Sequence, residues 1–188
     1  MSGIAVVYEL DGRPADAALL DRMLSAIAHR GPDGIGRLVE CPVALGHAML
    51  RTTPQALGEG QPLADSAAQL YLTFHGGIDN REELSSALKR ADARIESGTD
   101  SELLLRAYQC RGEGAVRRVL RDFAFALWDG RRRQLFCARD CVGAVPFYYW
   151  HDGRSFRAAT ELHQLFADPG AARAQLESGR PASRRPLS

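Results

Sequence analysis

This sequence has no excess of charge of either sign, which excludes several classes of partner. It contains 24 lysine and arginine residues against 23 aspartate and glutamate residues, so its net charge is +1. Nucleic-acid-binding domains normally carry a strongly basic face, and we expect no nucleic acid partner. No apolar run approaches the length that crosses a bilayer, and the start of the chain lacks the pattern of a secretion signal. We therefore expect no membrane partner and a cytoplasmic location.

Cysteine and histidine are also too scarce and too dispersed to form a metal site. The five histidines include no pair at the spacing of metal ligands. The cysteine spacing matches no common zinc or thioredoxin-like pattern, and we expect reduced thiols. The sequence thus predicts no metal and no cofactor bound to this chain. The four cysteines are Cys41, Cys110, Cys137 and Cys141.

Hydrophobic patterns predict strands and helices over most of the chain. The segment 123–128 is apolar on both faces, so both faces should be covered by other elements. Two sheets packed face to face with helices outside would satisfy this requirement, which gives an α+β layered fold. The predicted strands are 4–10, 42–50, 69–74, 123–128, 133–139 and 145–150, and the predicted helices are 15–30, 80–90 and 99–109.

Capping signals support two of these helices, and the composition changes at the end of the chain. Asn80 with Glu83, and Thr99 with Glu102, have the spacing of helix-capping pairs. From Ala171 the sequence is rich in Arg, Pro, Ser, Gln and Ala and has few residues that could pack. We predict that residues 169–188 form a disordered tail.

A series of short segments carries a resemblance to a known family. In their order and spacing they resemble the N-terminal class II glutamine amidotransferase domain of asparagine synthetases, from Ser2 to about Phe166. The resemblance implies a four-layer αββα N-terminal-nucleophile (Ntn) hydrolase fold for a domain spanning 2–168. The segments are Ser2-Gly3-Ile4-Ala5, His29 to Gly34, Leu45-Gly46-His47, Gln61-Pro62-Leu63, Gly76 to Asn80, Thr99 to Glu102, Asp122 to Asp129, Ala138-Arg139-Asp140 with Gly143, and Pro146 to Tyr149.

Two of these segments indicate a branch of the family. The stretches 46–54 and 77–84 are similar to those of asparagine-synthetase-like cyclases of lasso-peptide biosynthesis. Such enzymes use ATP to close a peptide ring and need no ammonia from glutamine. The resemblance therefore implies a ligase whose amidotransferase domain has lost its own chemistry.

The position of the catalytic nucleophile holds Ser2, where the resemblance implies cysteine. Removal of Met1 would place the Ser2 hydroxyl and a free α-amine on one residue, as N-terminal nucleophiles require. A hydroxyl stays protonated near neutral pH, whereas a thiol is partly ionised and more nucleophilic. We predict that Ser2 is a relic of the nucleophile. The alternative is an active N-terminal serine hydrolase that acts on an unidentified amide.

The oxyanion-hole pair, Asn-Gly in the family, is here His75-Gly76. Gly76 keeps a backbone amide, and His75 could donate from a ring nitrogen with a different reach. Loss of one such donor typically lowers the rate by about 100- to 1000-fold. The alternative is that His75 only ends a strand near solvent.

The remaining substrate-binding positions are also changed. Met49 replaces the arginine that the resemblance implies for the glutamine carboxylate, and Arg51 could substitute only if the register shifted. Gly77 replaces an acidic residue. Asp100 matches the acid that binds the glutamine ammonium, although an acid in a first helical turn is also explained by the helix dipole.

The resemblance implies that relatives continue into an ATP-pyrophosphatase synthetase domain with a Ser-Gly-Gly-x-Asp-Ser loop, which is absent from this sequence. ATP and Mg²⁺ are therefore expected only in that missing domain. We predict a fragment or subunit without glutaminase activity. Its expected partners are a synthetase domain or subunit, a precursor peptide, or a second copy in a homodimer. A peptide- or partner-binding module, with Met49 and His75 lining an apolar groove, is a further alternative.

Overall fold

The computed structural model describes residues 1–178, with side chains except those of residues 54, 55 and 174–178. No helix within this range is long and apolar enough to span a membrane. The strands are β1 (Gly3–Glu9), β2 (Ile35–Glu40), β3 (Val43–Ala48), β4 (Leu63–Asp65), β5 (Leu70–Gly76), β6 (Phe123–Asp129), β7 (Gln134–Arg139), β8 (Tyr148–His151) and β9 (Ser155–Ala159). The helices are α1 (Ala17–Ala26), α2 (Arg81–Arg90), α3 (Asp100–Arg111), α4 (Leu162–Leu165) and α5 (Pro169–Ser178).

The strands form two antiparallel sheets. The five-stranded sheet has the order β2-β3-β1-β9-β8, and the four-stranded sheet has the order β4-β5-β6-β7. The first strand of the chain lies in the middle of its sheet, where Ile4 is opposite His47 on β3 and Ala5 is opposite Ala159 on β9. A central strand has partners on both sides, so the position of the chain's N-terminus is well determined.

The sheets pack face to face with helices on both outer faces, which confirms the predicted four-layer αββα arrangement. Side chains alternate along each strand, so one set fills the space between the sheets and the other set contacts the helices. The α1 and α4 helices cover the five-stranded sheet, and α2 and α3 cover the four-stranded sheet. The core between the sheets contains Ile4, Val6, Val43, Leu45, Tyr71, Ala126, Trp128, Phe156 and Ala158.

The first helix is shorter than the pattern over 15–30 predicts. It begins after Asp16, whose side chain accepts the Leu19 N–H at 3.0 Å, and it ends at Ala26. A 3₁₀ turn over Ala28–Arg30 then tightens the chain. The predicted helix was too long because Ile27, which follows α1, is buried on the same face and continues the apolar pattern.

The structure differs from the predicted disordered tail over its first ten residues, which form α5. Ala171 is buried in the same cluster as α1 and α4. Asp168, just before the helix, accepts the Gly170 N–H at 2.8 Å and pairs with Arg157 at 2.9 Å. One buried alanine and one anchored carboxylate thus hold a segment whose composition indicated disorder. The rest of the predicted tail, 179–188, lies outside the described residues.

Candidate functional site

The predicted nucleophile and its neighbours gather at one end of the space between the sheets. Ile4 and Val6 point into this space, so strand alternation places Ser2 on the same side. Leu45 and Tyr71 also point into this space. The same alternation therefore places His47 and Met49 on the side of Leu45, and His75 on the side of Tyr71. We call Ser2, His47, Met49 and His75 the Ser2 site.

The hydroxyl of Ser2 is held by the main chain. The Leu50 N–H donates to Ser2 Oγ at 3.1 Å, and Ser2 Oγ lies 3.3 Å from the Leu50 carbonyl oxygen. Arg30 donates to the Ser2 carbonyl at 3.3 Å and forms an ion pair with Glu161. Both hydrogen bonds that the structure gives the hydroxyl therefore go to Leu50, and neither partner can act as a base.

His75 lies one residue before the end of β5, as the alternative expected, but it is buried, so the expectation that it lies near solvent is wrong. The residue is only 8% exposed, and its ring nitrogen Nδ1 has no hydrogen-bond partner among the described residues. Burial, with the charges of Arg30 and of the N-terminal amine, lowers the pKa of His75 to about 4. The imidazole is thus neutral at physiological pH. It lies close enough to the N-terminus to sense its charge.

The predicted partner of His75, Gly76, has a clear structural reason to be glycine. Its φ is +140°, and a Cβ there would overlap the Asp122 carbonyl and lie 2.7 Å from Phe123 Cα. Gly76 is opposite Phe123 in the β5–β6 ladder. Backbone packing alone therefore accounts for this glycine, and its role in an oxyanion hole stays a prediction.

His47 is a site residue that the sequence pattern did not single out. Its Nδ1 lies 3.1 Å from the Thr73 hydroxyl, which lies 3.2 Å from the Gly46 carbonyl oxygen. The tautomer that satisfies both contacts has the proton on His47 Nδ1, which donates to Thr73, while Thr73 donates to Gly46. Burial, with the charge of His75, lowers the pKa of His47 to about 3. This neutral histidine ties the two sheets together beside His75.

Met49 brings no cation to the site, and Arg51 does not replace the missing one. Met49 is 8% exposed, and its main chain bonds to Gly34 at 2.8 Å and to Asp33 at 3.1 Å. The Arg51 guanidinium donates to the carbonyl oxygens of Asp33 at 2.9 Å and Ala56 at 3.1 Å. Arg51 therefore supports the loop after β3.

Asp100 is already paired with an arginine of the same chain. Its Oδ2 accepts the Ile78 N–H at 3.1 Å, and Oδ1 forms an ion pair with Arg81. Arg81 also donates to the Gly98 carbonyl at 2.6 Å, which fixes its position. Burial raises the pKa of Asp100, although Arg81 opposes this effect. The carboxylate thus does more than cap its own helix, because it joins the start of α2 to the start of α3.

Gly77 leaves room for another arginine. A Cβ on Gly77 would lie 3.0 to 3.1 Å from atoms of the Arg121 side chain. Arg121 in turn pairs with Asp79 at 3.1 Å. Where the resemblance implies an acidic side chain, the structure therefore has a cation packed against bare backbone.

A second partly buried acid, which sequence reasoning missed, lies close to Asp100. Glu59 accepts hydrogen bonds from the Ser101 hydroxyl and, at 3.3 Å, from Gln61 Nε2. Burial raises the pKa of Glu59, and the charge of Asp100 adds to this shift. No local spacing signals this contact, because 42 residues separate Glu59 from Ser101.

Some residues of the family segments have structural roles. The Asp140 carboxylate accepts the N–H groups of Val142, Ala144 and Val145 at 2.9 to 3.1 Å, which shapes the turn after β7. These bonds lower the pKa of Asp140, although burial alone would raise it. Within residues 1–178 no three His, Cys, Asp or Glu side chains could hold a metal ion. That no metal binds stays a prediction.

Comparison with solved structures defines the class of fold. The chain superposes on the glutamine phosphoribosylpyrophosphate amidotransferase of Bacillus subtilis with a TM-score of 0.70 over 88% of this chain and 43% of that one. The two sequences are 17% identical, so this likeness shows the fold alone. The fold is that of the Ntn amidotransferases.

Sequence comparison gives the family. The family model for the glutamine amidotransferase domain matches residues 1–179. The chain is 34% identical to the glutamine-hydrolysing asparagine synthetase 3 of Bacillus subtilis over 80% of this chain and 25% of that protein. It is 34% identical to the asparagine synthetase of Asparagus officinalis over 89% of this chain and 28% of that protein. The chain belongs to the class II glutamine amidotransferase domains of the asparagine synthetase family, and it spans about a quarter of the length of these curated relatives.

Proposed function

We propose that this chain is an amidotransferase domain without glutaminase activity, which serves an ATP-dependent amide ligase of the asparagine synthetase type. The observation that carries the proposal is the state of Ser2. Its hydroxyl is bonded on both sides to Leu50, and a hydroxyl, which stays protonated near neutral pH, is a poorer nucleophile than the thiol of a cysteine.

The groups around Ser2 support the same conclusion. His75 is neutral and has no side-chain amide, Met49 has no charge for a carboxylate, and Asp100 is paired with Arg81. Each change removes part of what glutamine hydrolysis requires, while the fold is kept. A domain of this kind would act by stabilising or docking a synthetase domain, where ATP and Mg²⁺ would bind. A lasso-type peptide cyclase is the ligase that we favour.

Measurement of glutamate release from L-glutamine tests the proposal. An intact mass first establishes that Met1 has been removed and that the Ser2 amine is free. We expect the wild-type protein to release glutamate no faster than Ser2→Ala or than Ser25→Ala, an exposed serine of α1 that serves as the matched control. Release that is lost in Ser2→Ala but kept in Ser25→Ala would instead establish the active serine hydrolase.

A further inference from the structure

The Glu161 carboxylate, at the residue that precedes α4, has three basic side chains around it. Arg30 forms an ion pair with it. His29 Nε2 lies 3.3 Å from Oε1, and His163 Nδ1 lies 3.2 Å from Oε2. Burial alone would raise the pKa of Glu161, but Arg30 and the two histidines lower it. Arg30 compensates this anion throughout the physiological pH range, whereas the histidines do so only when they are protonated.

The position of His163 suits a ring that carries two protons. Its Nε2 lies 3.0 Å from the Ala26 carbonyl oxygen at the end of α1, while Nδ1 faces the Glu161 carboxylate. Both neighbours are hydrogen-bond acceptors, and a neutral imidazole has one N–H, whereas the protonated ring has two. Only the imidazolium can therefore donate to both. The carbonyl groups at the end of a helix also favour a positive charge.

The start of α4 also holds the first residues of β1. Arg30, which Glu161 fixes, donates to the Ser2 carbonyl at 3.3 Å. Gln164 Nε2 donates to the Ile4 carbonyl at 3.2 Å. The bond from Gln164 is independent of pH, because an amide does not titrate in this range. The contacts of the histidines with Glu161 are the part of this attachment that depends on pH.

We infer that His163, assisted by His29, forms a pH-dependent clamp that fastens α4 to the end of α1 and to the ion pair of Arg30 with Glu161. In mild acid the protonated rings complete the contacts of Glu161, and α4 is held firmly against the start of β1. As the pH rises above neutral, the rings lose their second proton, these contacts weaken, and α4 opens more readily. The clamp does not depend on whether the protein hydrolyses glutamine.

Amide hydrogen exchange measured by NMR tests the clamp. The Phe166 N–H bonds to the His163 carbonyl and the Ala167 N–H bonds to the Gln164 carbonyl, each at 3.2 Å, so these two amides report the opening of α4. Each rate is compared with that of an unstructured peptide at the same pH, which removes the intrinsic pH dependence of exchange. The two histidine side chains are 63% and 49% exposed. We therefore expect a modest effect, with protection about threefold greater at pH 6 than at pH 8.

Glutamine variants assign the effect to particular histidines. His163→Gln keeps an N–H for the Ala26 carbonyl but cannot gain a proton, so we expect it to lose most of the pH dependence. His29→Gln should lose the smaller part, and an unchanged ratio in this variant would overturn the assistance by His29. His151→Gln is the matched control, because His151 is an exposed histidine of β8. It should keep the ratio of the wild-type protein.

The sign of the effect separates the clamp from the stability of the whole fold. Protonation of the buried His47 and His75 favours the unfolded chain, so it would lower protection in acid instead of raising it. Equal or lower protection of Phe166 and Ala167 at pH 6 than at pH 8 in the wild-type protein would overturn the clamp, even if a variant failed to fold. A ratio that persists unchanged in His163→Gln would overturn it as well.

Discussion

The two buried histidines of the Ser2 site make the protein sensitive to acid. In the folded protein burial lowers the pKa of His47 and of His75 from 6.5 to about 3 and about 4. Between the lowered pKa of each histidine and 6.5, the unfolded chain therefore binds more protons than the folded chain. The free energy of unfolding rises with pH over this range. The stabilising effect is complete above about pH 6.5, the unfolded pKa, and is lost as the pH falls towards 4.

We predict that the free energy of unfolding falls with acidification by up to about 1.4 kcal/mol per pH unit for each histidine. His47→Asn, whose amide nitrogen can still donate to Thr73, should lose one histidine's share of this slope. His151→Gln, at an exposed position, is the control and should keep the full slope. Urea unfolding at several pH values above about pH 5 measures the effect, because carboxylates with lowered pKa values titrate below this range. An unchanged slope in His47→Asn would show that other groups cause it.

At the scale of single elements, the start of α3 depends on one carboxylate. The sequence predicts a capping pair of Thr99 and Glu102, and Thr99 Oγ1 does accept the Glu102 N–H, at 3.4 Å. The Glu102 carboxylate, however, reaches beyond Thr99. It accepts the N–H groups of Glu96, Ser97 and Gly98 at 2.7 to 2.8 Å. These bonds lower the pKa of Glu102 despite the opposing effect of burial. One side chain thus organises the whole turn before the helix.

We predict that Glu102→Gln destabilises the protein by about 3 kcal/mol, because an amide oxygen accepts these bonds more weakly than a carboxylate and a partly buried donor is left unpaired. Glu82→Gln, an exposed acid in the first turn of α2, is the matched control and should cost at most about 1 kcal/mol. Urea unfolding of the two variants measures both values. Equal costs would mean that the buried contacts of Glu102 contribute nothing beyond its charge.

The hydrophobic pattern predicts β1, β3, β5, β6, β7 and β8, and it misses β2, β4 and β9. β1, β3, β5 and β6 are buried along most of their length and were expected. The edge strand β2 is largely exposed and mixes Arg and Gly with apolar residues, so it has no alternating signal. β9 is buried but contains Ser155 and Arg157. Its arginine is compensated by Glu9, a contact between residues 148 positions apart.

Only part of the Ser2 site could be predicted from the sequence. Strand alternation alone would place the side chains of Ser2 and Met49 on the inner faces of their strands. The pairing of Asp100 with Arg81, and the burial of His75, depend on contacts between separate elements. Such contacts leave no periodic trace in the sequence, so local patterns could not predict them.

At the scale of the whole molecule, a buried ionic cluster joins the two ends of the domain. Arg157 on β9 pairs with Glu9 at the end of β1 at 2.7 Å and with Asp168 before α5 at 2.9 Å. Arg13 and Ser155 complete the contacts of Glu9 at 2.7 Å each. The same strand, β1, carries Ser2 at its other end. The cluster therefore joins β1, the strand that positions the Ser2 site, to the segment just before α5.

We predict that Arg157→Met destabilises the protein by about 3–5 kcal/mol, because removal of one partner leaves the charge of Glu9 buried with less compensation. The side chains of Arg157 and Glu9 are only 5% and 2% exposed. Arg37→Met is the control: Arg37 pairs with Asp21 at the same 2.7 Å, but both side chains are about half exposed, so its loss should cost less than about 1 kcal/mol.

A double-mutant cycle by urea unfolding separates burial of the charge from lost packing. Glu9→Gln in the Arg157→Met background removes the uncompensated charge, so the double variant should be more stable than the sum of the single costs indicates. Additive costs would assign the effect of Arg157 to packing alone. If Arg157→Met cost no more than Arg37→Met, the cluster would not hold the two ends of the domain together, and the position of β1 would depend on its ladder hydrogen bonds and the two cores that it borders.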